Sequence, residues 1–446
     1  MRLRSIAIVS FLTVLAFASI TNVYGGDVVT TAIIPNQYIV QVKGGINLEA
    51  FIADLEKIIS SLLPLSSLFK VINILEVGDF LGFVVQTTVV ALLEAVLQGL
   101  GGDCTIEPDV SFQLTFNVAN LNKKKRSFKR SVQTSTSSKI TTQANSDWNL
   151  ARISERQLNT KEMEYSYYSG GGCVSNSVCL VSTKYGVTFT ATVDFSAGSD
   201  IYIVDDGVDI HHTDFAGRAK WGYSVFNNTP NSGTGHSTLV AGVAAGTSVG
   251  VAKKANIISV EVINSNGGGS VSGIIEGIGW ITKNARHNYS VINMSFNLPT
   301  SYAGINTLNN AISAAVGLGF PVFTCAGDSA ANACTGVPAG NSNVFTVAST
   351  NSTDYPDPNS NSGKCVSMYA PGVNIITDWI STNSAQAMIS GSSYAAPHAS
   401  GVAALFLAQQ TFSPSNLYSA MKKYATSNVL HNLPKSTPNL LLYNQL

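Results

Sequence analysis

Three short segments, read in order, constrain this chain more than anything else in it: Ile203-Val204-Asp205-Asp206-Gly207, Gly233-Thr234-Gly235-His236-Ser237, and Ser390-Gly391-Ser392-Ser393-Tyr394-Ala395-Ala396-Pro397. They supply an Asp, a His and a Ser. A buried carboxylate can orient an imidazole, the imidazole can take a proton from a hydroxyl, and the hydroxyl can attack a carbonyl carbon. The local sequence predicts a defined element for each. Asp205 ends the apolar run Ile201 to Val204, which reads as a buried parallel strand, so its carboxylate lies at a strand's carboxyl end, where open α/β sheets place their sites. Gly207 then permits a sharp turn. His236 opens Thr238 to Ala244, small and apolar enough for a tightly packed helix. Ser393 precedes Ala395 to Leu405, so its hydroxyl and N–H are expected at a helix N-terminus, where developing negative charge is favoured. Pro397 fits the first turn of that helix.

Taken singly, each segment has an ordinary meaning. Asp-Gly is most often a turn, Gly-Ser-Ser a capping turn, and a loop histidine a satisfied polar residue. The conjunction of order, separation and helix context is what carries weight. An α/β-hydrolase is excluded because that fold needs an acid after the nucleophile, and no Asp or Glu follows Ser393.

These residues and their surroundings, from about Thr141 to the C-terminus, resemble the subtilisin-type serine proteases, in particular the proteinase K branch, which share the order Asp, His, Ser. The resemblance implies an α/β fold with a mainly parallel sheet flanked by helices, and a secreted endopeptidase acting on polypeptides. It implies Ser393 as nucleophile, His236 as proton shuttle, Asp205 as its orienting acid, and an oxyanion hole made by the Ser393 N–H and residue 328. Two backbone segments, Gly267-Gly268-Gly269 and Ser295-Phe296-Asn297, would hold an extended peptide as an added strand between them. Phe296 with Ala326-Gly327 would help line the pocket for the residue before the scissile bond.

Several residues depart from the family. Position 328 carries Asp where relatives have an Asn that donates to the oxyanion, and an ionised carboxylate has no donor. Loss of one such donor costs about 10²- to 10³-fold in kcat, a magnitude known from a subtilisin rather than obtained from this sequence. Asp328 donates only if protonated. Asp206 adds a charge beside Asp205, Ser237 and Leu239 replace Gly and His on the His236 helix, Ser392 replaces Thr, and Tyr394 replaces Met, large enough to crowd the oxyanion region. The competing expectation is a catalytically impaired homologue that binds peptides or stays complexed with its leader. Relatives bind calcium through an Asp just before the segment matching Met368 to Gly372; Ser367 stands there, so that acidic ligand is missing, and Asp209 and Asp214 are the other candidate ligands. No metal or cofactor is expected in catalysis.

The 446 residues divide by pattern. Residues 1–25, with Arg2, Arg4 and the apolar run Ile6 to Ala18, read as a cleaved signal peptide too short to span a bilayer. Residues 34–115 carry strand and helix signals in the order β-α-β-β-α-β, a ferredoxin-like unit. Pro35 to Val40 and Ile106 to Asp109 resemble the family's inhibitory propeptide, an intramolecular partner. Residues 116–142, with Lys123 to Arg130 and a Ser/Thr-rich run, read as an exposed linker holding a processing site at Lys129-Arg130. Residues 143–446 form the expected catalytic domain, with a mature terminus between Ser131 and Asn145. Charged residues are only 12% and the net charge is zero, with no basic patch interleaved with aromatics, which argues against nucleic acid. A monomer is the family's usual state.

Six cysteines suit a secreted protein. The resemblance favours Cys334 with Cys365; Cys173 with Cys179 would close a small loop in an insertion, Tyr165 to Cys179; Cys325 reads as a buried thiol and Cys104 falls in the leader. Sequons occur at Asn227, Asn288, Asn293 and Asn351, with Asn293 in an expected core strand and unmodified.

Overall fold

A computed structural model describes residues 28–62, 68–100, 103–115, 132–134, 140–144, 146–158, 164–168, 198–226, 232–302 and 304–444. The segment read as a signal peptide, the basic run, Asn227 and the Cys173 to Cys179 loop lie outside the described residues. The expected α/β fold is present. Its centre is a nine-stranded sheet in the order Thr426–Ser427, Leu440–Leu441, Met368–Pro371, Phe345–Thr350, Val322–Cys325, Ser290–Met294, Asp200–Asp205, Asn256–Glu261, Ala219–Ser224. Only the first pair is antiparallel.

The strand Asp200–Asp205 is buried at all six positions, as its near-continuous apolar run requires. Its side chains alternate between two cores. Ile201 and Ile203 join the helices His236–Ala245 and Ser392–Leu407 on one face, while Tyr202 and Val204 join Val271–Asn284 and Ile305–Gly317 on the other. From this strand the chain first builds outward through Ala219–Ser224 and Asn256–Glu261, then crosses to Ser290–Met294 on the opposite side. Asp205 therefore stands at a switch point, where strand ends diverge and leave a crevice.

The leader forms β1 (Val28–Val42), α1 (Leu48–Leu62), β2 (Phe69–Val77), β3 (Phe80–Thr87), α2 (Val90–Gly99) and β4 (Cys104–Thr115), in the expected element order. Its sheet runs β4-β1-β3-β2, antiparallel throughout. β1 and β4 are longer than the sequence predicts, because each pairs with the other beyond a bulge at Ile33/Tyr38. One sheet face covers α1 and α2. The other places Leu75, Val77, Val110 and Phe112 in the same core as the two helices Val271–Asn284 and Ile305–Gly317. Gly279 allows this close approach, since a Cβ there would lie 2.6 Å from Glu76 O.

Two acids on β4 reach the N-termini of those helices. Asp109 Oδ1 accepts the Ser272 N–H at 3.1 Å and Oδ2 the Ser272 hydroxyl at 2.6 Å. Glu107 Oε2 accepts the Thr307 N–H at 3.0 Å and its hydroxyl at 2.5 Å. The second helix starts after Gly304, which has no side chain to cap it, so Glu107 supplies from the leader what the helix lacks.

The segment expected to be an exposed linker contains structure. Val132–Thr134 pairs with Ile140–Ala144, which pairs in turn with Glu164–Tyr168, in a three-stranded antiparallel sheet. Thr-rich runs favour extended backbone, and the partner strand comes from the insertion rather than the catalytic core, which sequence order hides. The pairing of Cys334 with Cys365 is formed, with Cα atoms 5.3 Å apart. Asn293 is fully buried in its strand.

Candidate active site

Asp205 ends its strand fully buried, with His236 Nδ1 at 3.0 Å from Oδ1 and 2.9 Å from Oδ2. His236 is itself buried and is the first residue of its helix. Burial pushes the Asp205 carboxyl up to about 6; the imidazole opposes the rise and the neighbouring Asp206 charge adds to it.

Asp206, read from sequence only as an extra charge, fixes the helix that bears the imidazole. Its Oδ1 accepts the Ser237 N–H at 2.7 Å, and Oδ2 accepts the N–H and hydroxyl of Thr234 at 2.6 and 2.5 Å. A first-turn N–H and the preceding loop are thereby tied to the end of the Asp205 strand. Gly233 is required here: its φ is +54°, and a Cβ would meet Asp206 O at 2.0 Å.

Ser393 is the second residue of Ser392–Leu407, a helix buried along its whole length. Its hydroxyl donates to Ser295 O at 2.9 Å, and the Ser295 hydroxyl donates to Ser393 O at 2.8 Å. Pro397, expected in the first turn, sits in the second. It is the residue whose N–H would otherwise bond the carbonyl of Ser393, and the missing donor leaves that carbonyl to Ser295. Tyr394 packs its ring on the His236 imidazole, centroids 5.7 Å apart and tilted by 57°, so the serine and histidine helices meet. The crowding expected of Tyr394 falls on the imidazole.

Asp328 lies beside the helix bearing Ser393 as an acceptor. The Ser392 N–H donates to its two oxygens at 2.8 and 3.0 Å, and the Ser392 hydroxyl donates to Oδ2 at 2.9 Å. Gly327 N–H in turn donates to that hydroxyl at 3.0 Å.

The two backbone segments expected to hold a peptide have different partners. Gly268–Ser270 forms a short strand that adds to the leader's sheet, pairing Gly268 with Gln113, Gly269 with Phe112 and Ser270 with Ser111. Leu114 N–H extends the contact to Gly267 O at 2.8 Å. The Phe112 ring stacks on Phe296, centroids 6.4 Å apart. On the other side, Ser295 to Asn297 continue from Ser290–Met294, and Asn297 reaches across to the end of the neighbouring strand. Cys325 there is a buried thiol. Of the expected site residues, Asp205, His236, Ser295 and Ser393 thus converge, Ala326 and Gly327 flank them, and Gly267 to Gly269 are covered by the leader.

Among the described residues no group of three or more His, Cys, Asp or Glu is arranged to hold a metal ion. Both Asp214 oxygens accept the Ser248 N–H, at 2.9 and 3.0 Å, and Asp209 accepts from His211 N–H. Sequence reasoning named Asp206, Glu107 and Asp109 but did not assign the helix and loop N–H groups they accept. Asp206 shows in sequence only as a charge, and Glu107 and Asp109 as alternating acids on one strand.

The profile of the Subtilase family matches residues 196–438, more than half of the chain. The chain is 42% identical over 269 residues to Subtilisin-like protease 5 of Arthroderma otae, covering 59% of this chain and 66% of that one. It is 41% identical over 261 residues to the Extracellular serine proteinase of a Thermus species, covering 57% and 61%. The chain thus spans about three fifths to two thirds of the length of these curated relatives. Among solved structures, a cold adapted subtilisin-like serine proteinase superimposes with a TM-score of 0.57 at 33% identity, covering 67% of this chain and 98% of that one.

Proposed function

This chain belongs to the subtilase family, and from that premise we propose that it is a secreted serine endopeptidase made as a self-inhibited precursor. Ser393 Oγ attacks a peptide carbonyl, His236 takes the proton and later gives it to the leaving amine, and Asp205 holds the imidazole and stabilises its charged form. The tetrahedral oxyanion meets the N-terminus of the Ser392–Leu407 helix, through the Ser393 N–H. The observation that supports this most directly is the buried Asp205–His236 contact at 2.9 Å, on a helix that packs against the one bearing Ser393.

Asp328 decides how well this machinery runs. As an acceptor from Ser392 it opposes an oxyanion; with a proton it becomes a donor to one. The enzyme is therefore acid-shifted. The substrate joins Gly267-Gly268-Gly269 and Ser295-Phe296-Asn297 as an added strand, so main-chain hydrogen bonds supply most of the affinity. β4 already takes that place along Gly268–Ser270, which supports the leader as an inhibitor that must be cut and released.

The three hydrogen bonds into Asp328 also favour a second reading, a homologue too weak to turn over substrate that keeps its leader bound. One experiment separates the two: a pH series of fluorophosphonate labelling on the processed protein, with Ser393→Ala and Asp328→Asn alongside. Labelling that requires Ser393, fades as pH rises, and loses that pH dependence in Asp328→Asn supports the acid-shifted protease. A folded, leader-free protein that labels at no pH leaves the binding homologue.

A further inference from the structure

A side chain of the protein itself bridges the two segments next to Ser393, reaching from Asn297 to Cys325 O. A carbonyl carbon under attack must come within about 3–3.5 Å of Ser393 Oγ. That hydroxyl lies 2.9 Å from Ser295 O, so the scissile carbonyl sits against the Ser295 backbone. Asp328 bonds Ser392 on the opposite side, so the residue carrying that carbonyl stands over the gap between Ser295–Asn297 and Ala326–Asp328. A side chain on that residue would descend into the gap. The Asn297 side chain crosses the same gap: Nδ2 donates to Cys325 O at 2.7 Å, and Oδ1 accepts the Ala339 N–H at 2.8 Å. A Cβ on Gly336 would lie 3.2 Å from Oδ1, and one on Gly327 would lie 3.8 Å from Nδ2, so the amide is held between those two walls. Both of its bonding partners, Cys325 and Ala339, are fully buried.

We infer that Asn297 is a specificity-determining residue that restricts cleavage to peptides with a small side chain, such as alanine or glycine, immediately before the scissile bond. This rests on the protease reading proposed above. An aromatic or long aliphatic side chain could enter only by displacing the amide, which would break its bond to Cys325 O and strand the Ala339 N–H in a buried site. Breaking two hydrogen bonds and leaving a buried N–H unsatisfied is enough to discriminate by more than about tenfold.

The test is a peptide series differing only at that residue (Gly, Ala, Leu, Phe), assayed as kcat/KM on the processed protein and on Asn297→Gly, with fluorophosphonate labelling of Ser393 measured in parallel. The parent is expected to cleave the alanine peptide at least tenfold faster than the phenylalanine peptide. Asn297→Gly is expected to raise the Phe:Ala ratio at least tenfold. If the glycine variant does not fold, Asn297→Ser carries the same comparison, and the parent's own ratio needs no variant. Labelling and cleavage with a Phe:Ala ratio near or above one in the parent would overturn this inference alone. A ratio unchanged by opening the gap would do the same. No labelling and no cleavage of any peptide would overturn the protease reading, and this inference with it.

Discussion

His398 lies in the helix that carries Ser393, fully buried, and its protonation is opposed by burial strongly enough to lower its pKa from 6.5 to about 4. Its ring is used at both nitrogens. Nδ1 faces Tyr394 O at 2.8 Å, which can only accept, so Nδ1 carries the proton; Nε2 then accepts from Asn149 Nδ2 at 2.8 Å. A histidine whose folded pKa is depressed contributes stability that is fully present above 6.5 and is lost as pH falls toward 4. At about 1.4 kcal/mol per pH unit the whole window is worth about 3 kcal/mol, of which about 2 kcal/mol disappears between pH 7.5 and 5. Asp205, raised to about 6, works in the opposite direction over the same range, so the effect is read as a difference between two chains. The assay is urea unfolding followed by tryptophan fluorescence, on Ser393→Ala to prevent self-digestion and on the same chain with His398→Gln. The first should lose about 2 kcal/mol more than the second on going from pH 7.5 to 5. Equal losses, within about 0.5 kcal/mol, would refute the assignment of a buried neutral imidazole.

Three further outcomes are expected. Asp206→Asn removes one acceptor from the loop and helix that position His236; it should cost about 1–3 kcal/mol in thermal unfolding and lower kcat more than it raises KM, measured on one preparation. Asp109 is raised by burial against the Ser272 helix, so the docked leader favours its protonated form; the contact is strongest at acid pH and weakens as pH rises through the raised value. Size-exclusion chromatography of the cut chain should show faster loss of the leader at pH 8 than at pH 4, a difference that Asp109→Asn removes. Asp378 is raised well above the carboxylate range, first by burial and then by Asp214, so it too favours the folded state at low pH. Asp378→Asn should raise the melting temperature at pH 8 and leave it nearly unchanged at pH 4.

What the sequence disclosed depended on how local each cause is. Asp205, His236 and Ser393 each sit where a strand ends or a helix begins, so their neighbours announced them. Asp206 was visible only as a charge, because the N–H groups it accepts from belong to Thr234 and Ser237 and meet it only in the fold. Pro397 was placed one turn too early: the rule for proline at helix starts assumes that an interior proline wastes a carbonyl, whereas here Ser295 takes it. Asn297 was read as a stretch of backbone, since nothing in a linear pattern says that its amide folds into the gap beside the serine. The strand near residue 140 stays hidden because its outer partner lies in an insertion, and the strand near 132 forms only by pairing with it. The leader's acids left only their alternation along one strand, and the helix ends they complete are more than 160 residues away.

The helix Ser392–Leu407 has no solvent face at any of its sixteen positions. Helix ends normally fray on fast timescales, because their outer residues open without disturbing anything else. Here the first turn cannot open alone: Ser392 and Ser393 are locked to Asp328 and Ser295, and every later residue is core. The amides of this helix therefore exchange with solvent only when the whole domain opens, which makes the stillness of the nucleophile a property of global stability rather than of the site around it.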